Sequence, residues 1–432
     1  MKKRNVSAVT KLQTILIIVA LIVAGAGTGL WYYSSQPKAE RIVKILGQSY
    51  TTGEFYKKYA EDWGKANGIT VQWDELPVST FGPKVTLILQ SNSTEYDLIQ
   101  SDQASTRRWA PQGYLTDITD DFISMKDQIV GYDSGLNRAD NRLYGITVGL
   151  ATGCGFYRTD LLAQAGIEVP KNFSEVLSAM QLLTVKNQDG TVKRYGVVSS
   201  GLYYFVWWSY YLLSSGGEFM NEQTGAPLFN SSAGLEALDF LKETYKSPYA
   251  NPASITYTEA DAAGEFYNDR AAIVWSMPQW QYSKDGWDAS GSVIAGKWAP
   301  MLIPGNKIRS ASHLFEAQFE LAKAAQHKAD AIKLMKEVFL NYAIQKNISA
   351  VEGMVPSLKS LLSDAELLTK NKSLRTVAEQ VTYPDAYRYQ DQYYWAEYDA
   401  CNPIIENFLG GQISGQETLN QMVTAFKAAR VG

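Results

Sequence analysis

Aromatic rings grouped in three places, with a few carboxylates near them, are the residues of this chain best equipped for chemistry. Tyr203, Tyr204, Phe205, Trp207, Trp208, Tyr210 and Tyr211 fall in the segment 203–211. Trp275, Trp280, Tyr282 and Trp287 follow, and Tyr393, Tyr394, Trp395 and Tyr398 come near the end. Tyrosine and tryptophan join a flat apolar face to a polar edge, which suits stacking on an amphipathic small molecule such as a sugar. The run at 203–211 also suits a helix of the core, because a helix cannot aim every ring in one direction. Two or three of its rings facing a ligand is the expectation. The carboxylates Asp102, Glu316 and Glu397 could accept hydrogen bonds from ligand hydroxyls. They could also be recruited as the acid and base of a carbohydrate hydrolase, which needs two carboxyl groups at a fixed separation. Only two His and two Cys (Cys154 and Cys401) are present, so clustered metal sites and Cys–His nucleophile pairs have little raw material. No metal or other cofactor is called for. The two cysteines could pair or lie apart as buried thiols.

Elements that can position such residues are readable along the chain. Its 432 residues suit two or three lobes with a core each, and a net charge of −4 gives no reason to expect nucleic acid as a partner. Lys2, Lys3, Arg4 and Lys11 precede a charge-free apolar run at 12–31, the pattern of an N-terminal hydrophobic helix that is either a signal peptide or a membrane anchor. Residues 41–46 read as a first strand, and Phe55, Tyr59 and Trp63 mark one face of a helix capped by Thr52 and ended by Gly68. Ile69, Val71 and Trp73 alternate as a second strand, and 96–100 forms a third. Strand–helix–strand alternation argues for a mostly parallel sheet, in which ligands sit beyond the carboxyl ends of the strands. That rule picks out the loops 48–50, 79–81 and 101–103, and with them Tyr50 and Asp102.

The segment 143–184 is the most ordered in sequence terms. A buried strand or crossover runs from Tyr144 to Arg158, Thr159 can cap a short helix, and Gly166 stands where a left-handed stop is wanted. Asn172 and Glu175 then resemble a capping box before Val176, Leu177, Met180 and Leu183.

Taken together, Tyr157, Asp160, Leu161, Leu162, Ala165, Gly166, Pro170, Lys171, Phe173 and Glu175 resemble the central signature of the extracellular solute-binding proteins of ABC importers, family 1, the maltose and sugar-binding type. Tyr96–Asp97 with Gly113–Asp117, the block 261–279, Pro300–Pro304 and Gly353–Pro356 are similar to further blocks of that family, in order. The resemblance departs at Thr147–Gly149, where the family has a Pro-hydrophobic pair, and at His313–Glu316, where it has glycines. The latter departure offers His313 or Glu316 as substitute contacts.

The resemblance implies an α/β, two-lobed periplasmic-binding-protein-like fold of type II, its lobes joined by crossover hinge strands. Residues 1–36 would be the signal or anchor segment, 41–150 with 305–352 the first lobe, and 151–300 with 356–432 the second. It implies a non-enzymatic receptor outside the cell membrane, a monomer that captures a mono- or oligosaccharide and delivers it to ABC permease subunits. The family's sugar-stacking aromatics fall within one position of Trp280 and at Tyr398 or Glu397. The binding residues expected are Tyr50, Asp102, Trp207, Trp208, Trp280, Trp395 and Tyr398, with His313 and Glu316 behind them. A polyamine or peptide ligand in the same fold, and a secreted carbohydrate hydrolase, remain as alternatives.

Overall fold

A computed structural model describes residues 41–49, 52–277, 286–384 and 390–431. Two sheets organise the chain. The first takes β1 (Ile42–Gln48), β2 (Thr70–Leu76), β3 (Leu98–Ser101), β4 (Gly145–Thr152), β10 (Leu314–Leu321) and β11 (Val355–Pro356), in the order β11-β4-β10-β3-β1-β2. The second takes β5 (Cys154–Arg158), β6 (Val185–Lys186), β7 (Val192–Val198), β8 (Ala271–Met277) and β9 (Trp298–Met301), in the order β9-β5-β8-β7-β6. The run from Tyr144 to Arg158 is thus two strands, one in each sheet, with Gly153 between them.

Both sheets are mixed, which corrects the expectation of a mostly parallel one. β1 pairs parallel with β2 and β3, but β10 runs antiparallel to both β3 and β4. Helices return the chain between the first three strands in the usual parallel way. The strands that cross from the other lobe enter from the opposite end and pair antiparallel.

Local signals account for most element ends. The helix Lys57–Asn67 stops at Gly68, whose φ of 63° is left-handed, and Thr159–Ala165 stops the same way at Gly166, φ 66°. Asn172 caps Phe173–Leu183 by accepting from the Glu175 N–H, while the Glu175 carboxylate takes the N–H of Lys171. Thr159 is not a cap: its N–H bonds to the Lys297 carbonyl as an extension of the β5–β9 pairing, and Arg158 takes the cap position. Asp97 is buried and gathers the backbone N–H groups of Lys44, Gln326 and His327, tying β1 to the turn after β10.

Each sheet has its own core. Val43, Ile45, Leu98, Ile146, Val148, Phe319 and Phe339 belong to the first, as do Leu361, Leu367, Leu374 and Val377 from beyond β11. Val176, Met180, Trp208, Phe240, Trp275, Ile405, Met422 and Phe426 belong to the second. Cys154 and Cys401 are free, buried thiols in different clusters.

Close backbone approach makes Gly196 on β7 irreplaceable. A Cβ there would lie 2.1 Å from the Met180 carbonyl oxygen, so the helix Phe173–Leu183 would have to lift from the sheet. Gly196→Ala should therefore lower the unfolding free energy by about 1–3 kcal/mol in urea denaturation. A change too small to measure would mean the helix can shift without loss.

Among the described residues no helix is long and apolar enough to cross a membrane. The expected segment at 1–36 lies outside them.

Three crossings connect the two sheets, and they meet. Thr152 and Ser312 bond through their hydroxyls at 2.8 Å, and the Ser312 N–H donates to the Pro384 carbonyl. Gly153 lies under Tyr210, whose ring a Cβ would meet at 2.6 Å. These crossings are the hinge strands expected of a two-lobed fold.

Candidate functional site

The helix Tyr204–Ser214 is buried along its whole length, and its spacing sorts its rings into faces. Phe205 and Trp208 point into the second core against Phe219 and Phe229, while Tyr211 packs on Phe173 and Phe240. Tyr203, Trp207 and Tyr210, at i, i+4 and i+7, take the remaining face. Tyr203 meets Tyr398, Trp207 meets Tyr210, and the Tyr210 hydroxyl bonds to His313 at the hinge. Among the described residues the Trp207 indole N–H has no hydrogen-bond acceptor, and the residue is 5% exposed.

Asp102 approaches from the first sheet. It follows β3 and caps the helix Gln103–Trp109, accepting from the Ser105 N–H at 2.8 Å. Its second oxygen accepts from the Trp395 indole N–H at 3.2 Å, a bond that joins the two lobes. Burial raises the Asp102 carboxyl above the usual range, and these two donors hold it back. Beneath it, Glu320 on β10 is fully buried and bonds to the hydroxyls of Ser101 and Thr106. Desolvation pushes that carboxyl well above the ordinary value, while the Thr106 hydroxyl pulls it back.

From Asp102 a row of rings runs along the second lobe. Trp395 opens the helix Tyr394–Leu409, and Tyr398 lies one turn on with its ring centre 5.8 Å away. Tyr398 donates its hydroxyl to the Leu202 carbonyl at 2.8 Å and faces Tyr203 at 6.1 Å. Burial, and then the charge of Glu259, raise the Tyr203 hydroxyl. Glu259 lies in the first turn of the helix Glu259–Tyr267 and is partly exposed. Its carboxyl has no hydrogen-bond or ion-pair partner among the described residues, and burial pushes it up to about 7. Asp102 thus stands at one end of a row of three rings.

The Glu259 shift has a measurable consequence. Its folded value lies above the value of about 4.3 for a free glutamate, so the group stabilises the fold fully only below that value. The contribution is lost as pH rises through about 7. Glu259→Gln should raise the melting temperature relative to the unsubstituted chain by more at pH 8 than at pH 5. An equal difference at both pH values would show that the carboxyl is not desolvated.

The expected binding residues divide as follows. Asp102, Trp395 and Tyr398 come together across the lobes, and Trp207 lies on the same helix face as Tyr203. Trp208 is corrected to a core residue: it is fully buried and its indole N–H is spent on the Gly234 carbonyl. His313 is buried at the hinge, bonded to Tyr210, and desolvation drives its pKa well below the usual value, so it is neutral. Glu397, the alternative to Tyr398, faces away and pairs with Arg430. Tyr50 and Trp280 lie outside the described residues; Glu316 is on β10, its side chain outside them too. Among the described residues no group of three or more His, Cys, Asp or Glu side chains could hold a metal.

Tyr203 joins the ring row, and Glu259 carries a raised carboxyl, without either having been singled out. Tyr203 was findable, since the spacing 203, 207, 210 marks one helical face. Glu259 was not: it directly follows the capping residue Thr258, where an acidic residue is expected for the helix start alone.

Comparison with known proteins supplies the context. The sequence pattern of the family described as bacterial extracellular solute-binding proteins matches residues 47–341, more than half of the chain. A probable amino-acid ABC transporter periplasmic-binding protein of Sinorhizobium fredii is 25% identical over 219 residues, 46% of this chain and 48% of that protein. The chain's match therefore spans about half the length of this curated relative. Among solved structures, maltose-bound MalE3 of T. maritima has a TM-score of 0.77 at 21% identity, covering 89% of this chain and 99% of that one. A solute-binding protein of Thermotoga lettingae bound with α-D-tagatose has a TM-score of 0.77 at 18% identity, covering 90% and 100%. The GacH receptor of Streptomyces glaucescens, solved with acarbose, has a TM-score of 0.77 at 18% identity, covering 91% and 99%. At these identities the likeness is one of fold.

Proposed function

We propose that this chain, which belongs to the bacterial extracellular solute-binding proteins, captures a sugar between its lobes and delivers it to the permease of an ABC importer. The observation that carries the reading is the ring row Trp395, Tyr398 and Tyr203, with Asp102 bonded to Trp395 at one end. Rings stack on the apolar faces of a pyranose or furanose, and carboxylates accept from its hydroxyls. The fold neighbours named above hold maltose, tagatose and acarbose, which favours carbohydrate.

Closure would bend the three crossings at Gly153, Ser312 and Pro384. In this reading the first lobe comprises 41–150 with 305–352, and the second 151–300 with the C-terminal part. The expectation from sequence gives the second lobe all of 356–432; that Leu358, Leu361, Leu367, Leu374 and Val377 belong to the first core supports counting 355–377 with the first lobe instead. The hydrophobic segment at 1–36 would anchor or export the chain, which works as a monomer, without nucleic acid and without catalysis.

The test is a thermal-shift titration of the purified full chain against maltose, D-tagatose, D-mannitol, spermidine, free amino acids and a tetrapeptide. A ligand that binds only the folded state raises the melting temperature as its concentration grows. A saturable shift with a carbohydrate, recovered intact by chromatography, supports the proposal. A shift confined to spermidine, amino acids or peptide overturns the sugar, and conversion of the carbohydrate overturns the receptor reading.

A further inference from the structure

We propose that Asn92 is a modification site, its side-chain amide carrying an N-linked glycan that lies over the apolar groove beside it. This rests on the proposed export of the chain and not on the identity of its ligand. Five Asn-X-Ser/Thr sequons fall among the described residues, at Asn92, Asn172, Asn230, Asn347 and Asn371. A glycan is bulky and solvated, so its asparagine must keep a free amide nitrogen at the surface of the finished fold.

The fold disfavours four of the five. Asn371 is fully buried, and its amide donates to the Ser349 hydroxyl and to the Gly353 and Met354 carbonyls. Asn347 lies within the helix Tyr342–Glu352, donates to the Tyr59 hydroxyl, and has the serine of its sequon, Ser349, fully buried. Asn172 caps a helix and is followed by Phe173, which stacks on Phe240 in the second core. Asn230 is exposed, but both ends of its amide are held by the last helix, through Asn420 and Gln416.

Asn92 differs on each count. It is exposed, Thr94 two positions on is exposed too, and its side chain makes no hydrogen bond among the described residues. Backbone bonds fix the turn beneath it: the Asn92 N–H donates to the Leu89 carbonyl, and the Ser93 N–H to that of Ile88. Its φ of 51° is a left-handed stop after the helix Val78–Gln90, a conformation that asparagine adopts readily.

The neighbouring surface is an independent argument. Ser91 and Ser93, on either side of Asn92, line an open groove of about 750 Å³ with Pro83, Lys84, Leu87 and Ile88. Leu87 is 67% exposed there. An exposed apolar groove calls for something to cover it, and a pyranose attached at Asn92 brings its own apolar ring face to that surface. In the transfer, Asn92 Nδ2 bonds to the anomeric carbon of a glycan carried on a membrane lipid phosphate. The bond from that carbon to the phosphate oxygen breaks, the lipid phosphate leaves with the electron pair, and the amide gives up one proton.

The test is made on the full chain isolated from its own host cells and digested with trypsin. Cleavage after Lys84 and Arg107 gives the peptide Val85–Arg107, which holds Asn92 and no other sequon. Mass spectrometry should find this peptide heavier by a string of sugar residues, and the peptides of Asn172, Asn347 and Asn371 at their plain masses. Thr94→Ala, expressed in the same host, should abolish the excess, and Thr94→Ser should keep it; both leave Asn92 in its turn. Exposure of the chain is read in parallel, by labelling intact cells with a membrane-impermeant amine reagent. A labelled chain whose peptide Val85–Arg107 has its plain mass overturns this inference, leaves export standing and gives the groove to a protein partner. An excess that survives Thr94→Ala overturns it as well. A chain that escapes the label overturns export, and this inference with it.

Discussion

Arg430→Met should lower the unfolding free energy by about 3–5 kcal/mol, the cost of leaving a buried charge without its partner. Arg430 lies two residues from the end of the chain, where substitutions are usually tolerated. Here its guanidinium pairs with Glu397, which has no exposure, and with Asp391 at 2.5 Å. It also lies over the Tyr393 ring at 4.9 Å and the Phe426 ring at 5.4 Å. One side chain therefore fastens the last helix, Gly415–Ala429, to the start of the helix that presents Trp395 and Tyr398. Burial first, and then Asp391, push the Glu397 carboxyl up to about 8, against the pull of Arg430. Because the folded value is raised, the penalty of the charged form grows as pH climbs from the ordinary glutamate range to about 8. The loss in Arg430→Met should accordingly be larger at pH 9 than at pH 6. Adding Glu397→Gln should restore part of it, since no buried charge then remains without a partner on that helix. Arg430→Lys should fall between, keeping the charge but not the planar fork. Denaturant unfolding of the four chains checks this. A loss under about 1 kcal/mol, the range of exposed pairs, would mean that the pair is solvated in practice.

How much of this was legible in the sequence varies with the range of the forces involved. The crossing between the sheets was readable from 143–184, because Gly166, Asn172 and Glu175 act on their own backbone within a turn. The direction of β10 and β4 was not, since strand polarity in a mixed sheet depends on where the chain re-enters from the other lobe. Aromatic residues posed the harder problem. Trp207 and Trp208 are adjacent, chemically identical and both buried in the second core, yet Trp207 packs on Tyr210 and Trp208 on Phe229. Only the phase of the helix separates them, and the rings at 203 and 210 set that phase. Glu397 and Tyr398 are separated the same way, with Arg430 supplying the charge that holds Glu397 inward. Desolvation is the least local property, and Glu259 therefore emerged only from the fold.

Trp395→Ala should weaken binding of the best carbohydrate of the panel by about 30- to 100-fold, the loss expected when a central anchoring ring is truncated. Two effects combine. The ring next to Asp102 is removed from the row, and Asp102 loses its indole donor, keeping only the Ser105 N–H at 2.8 Å. That lost bond is also a direct polar link between the first sheet and the helix Tyr394–Leu409, so the two are less firmly held together. Stability should change less than binding, because Trp395 is only partly buried against the second core. The contrast is Trp208→Ala, which should cost about 3–5 kcal/mol as a core truncation and affect binding only through stability. Trp395→Phe separates the two effects: it keeps a stacking face and drops the N–H, so its affinity should lie between those of the original and the alanine chain. Calorimetric titration beside urea unfolding gives both quantities for each variant. An affinity within threefold of the original for Trp395→Ala would remove this ring from the site and leave Tyr398 and Tyr203 to carry it alone.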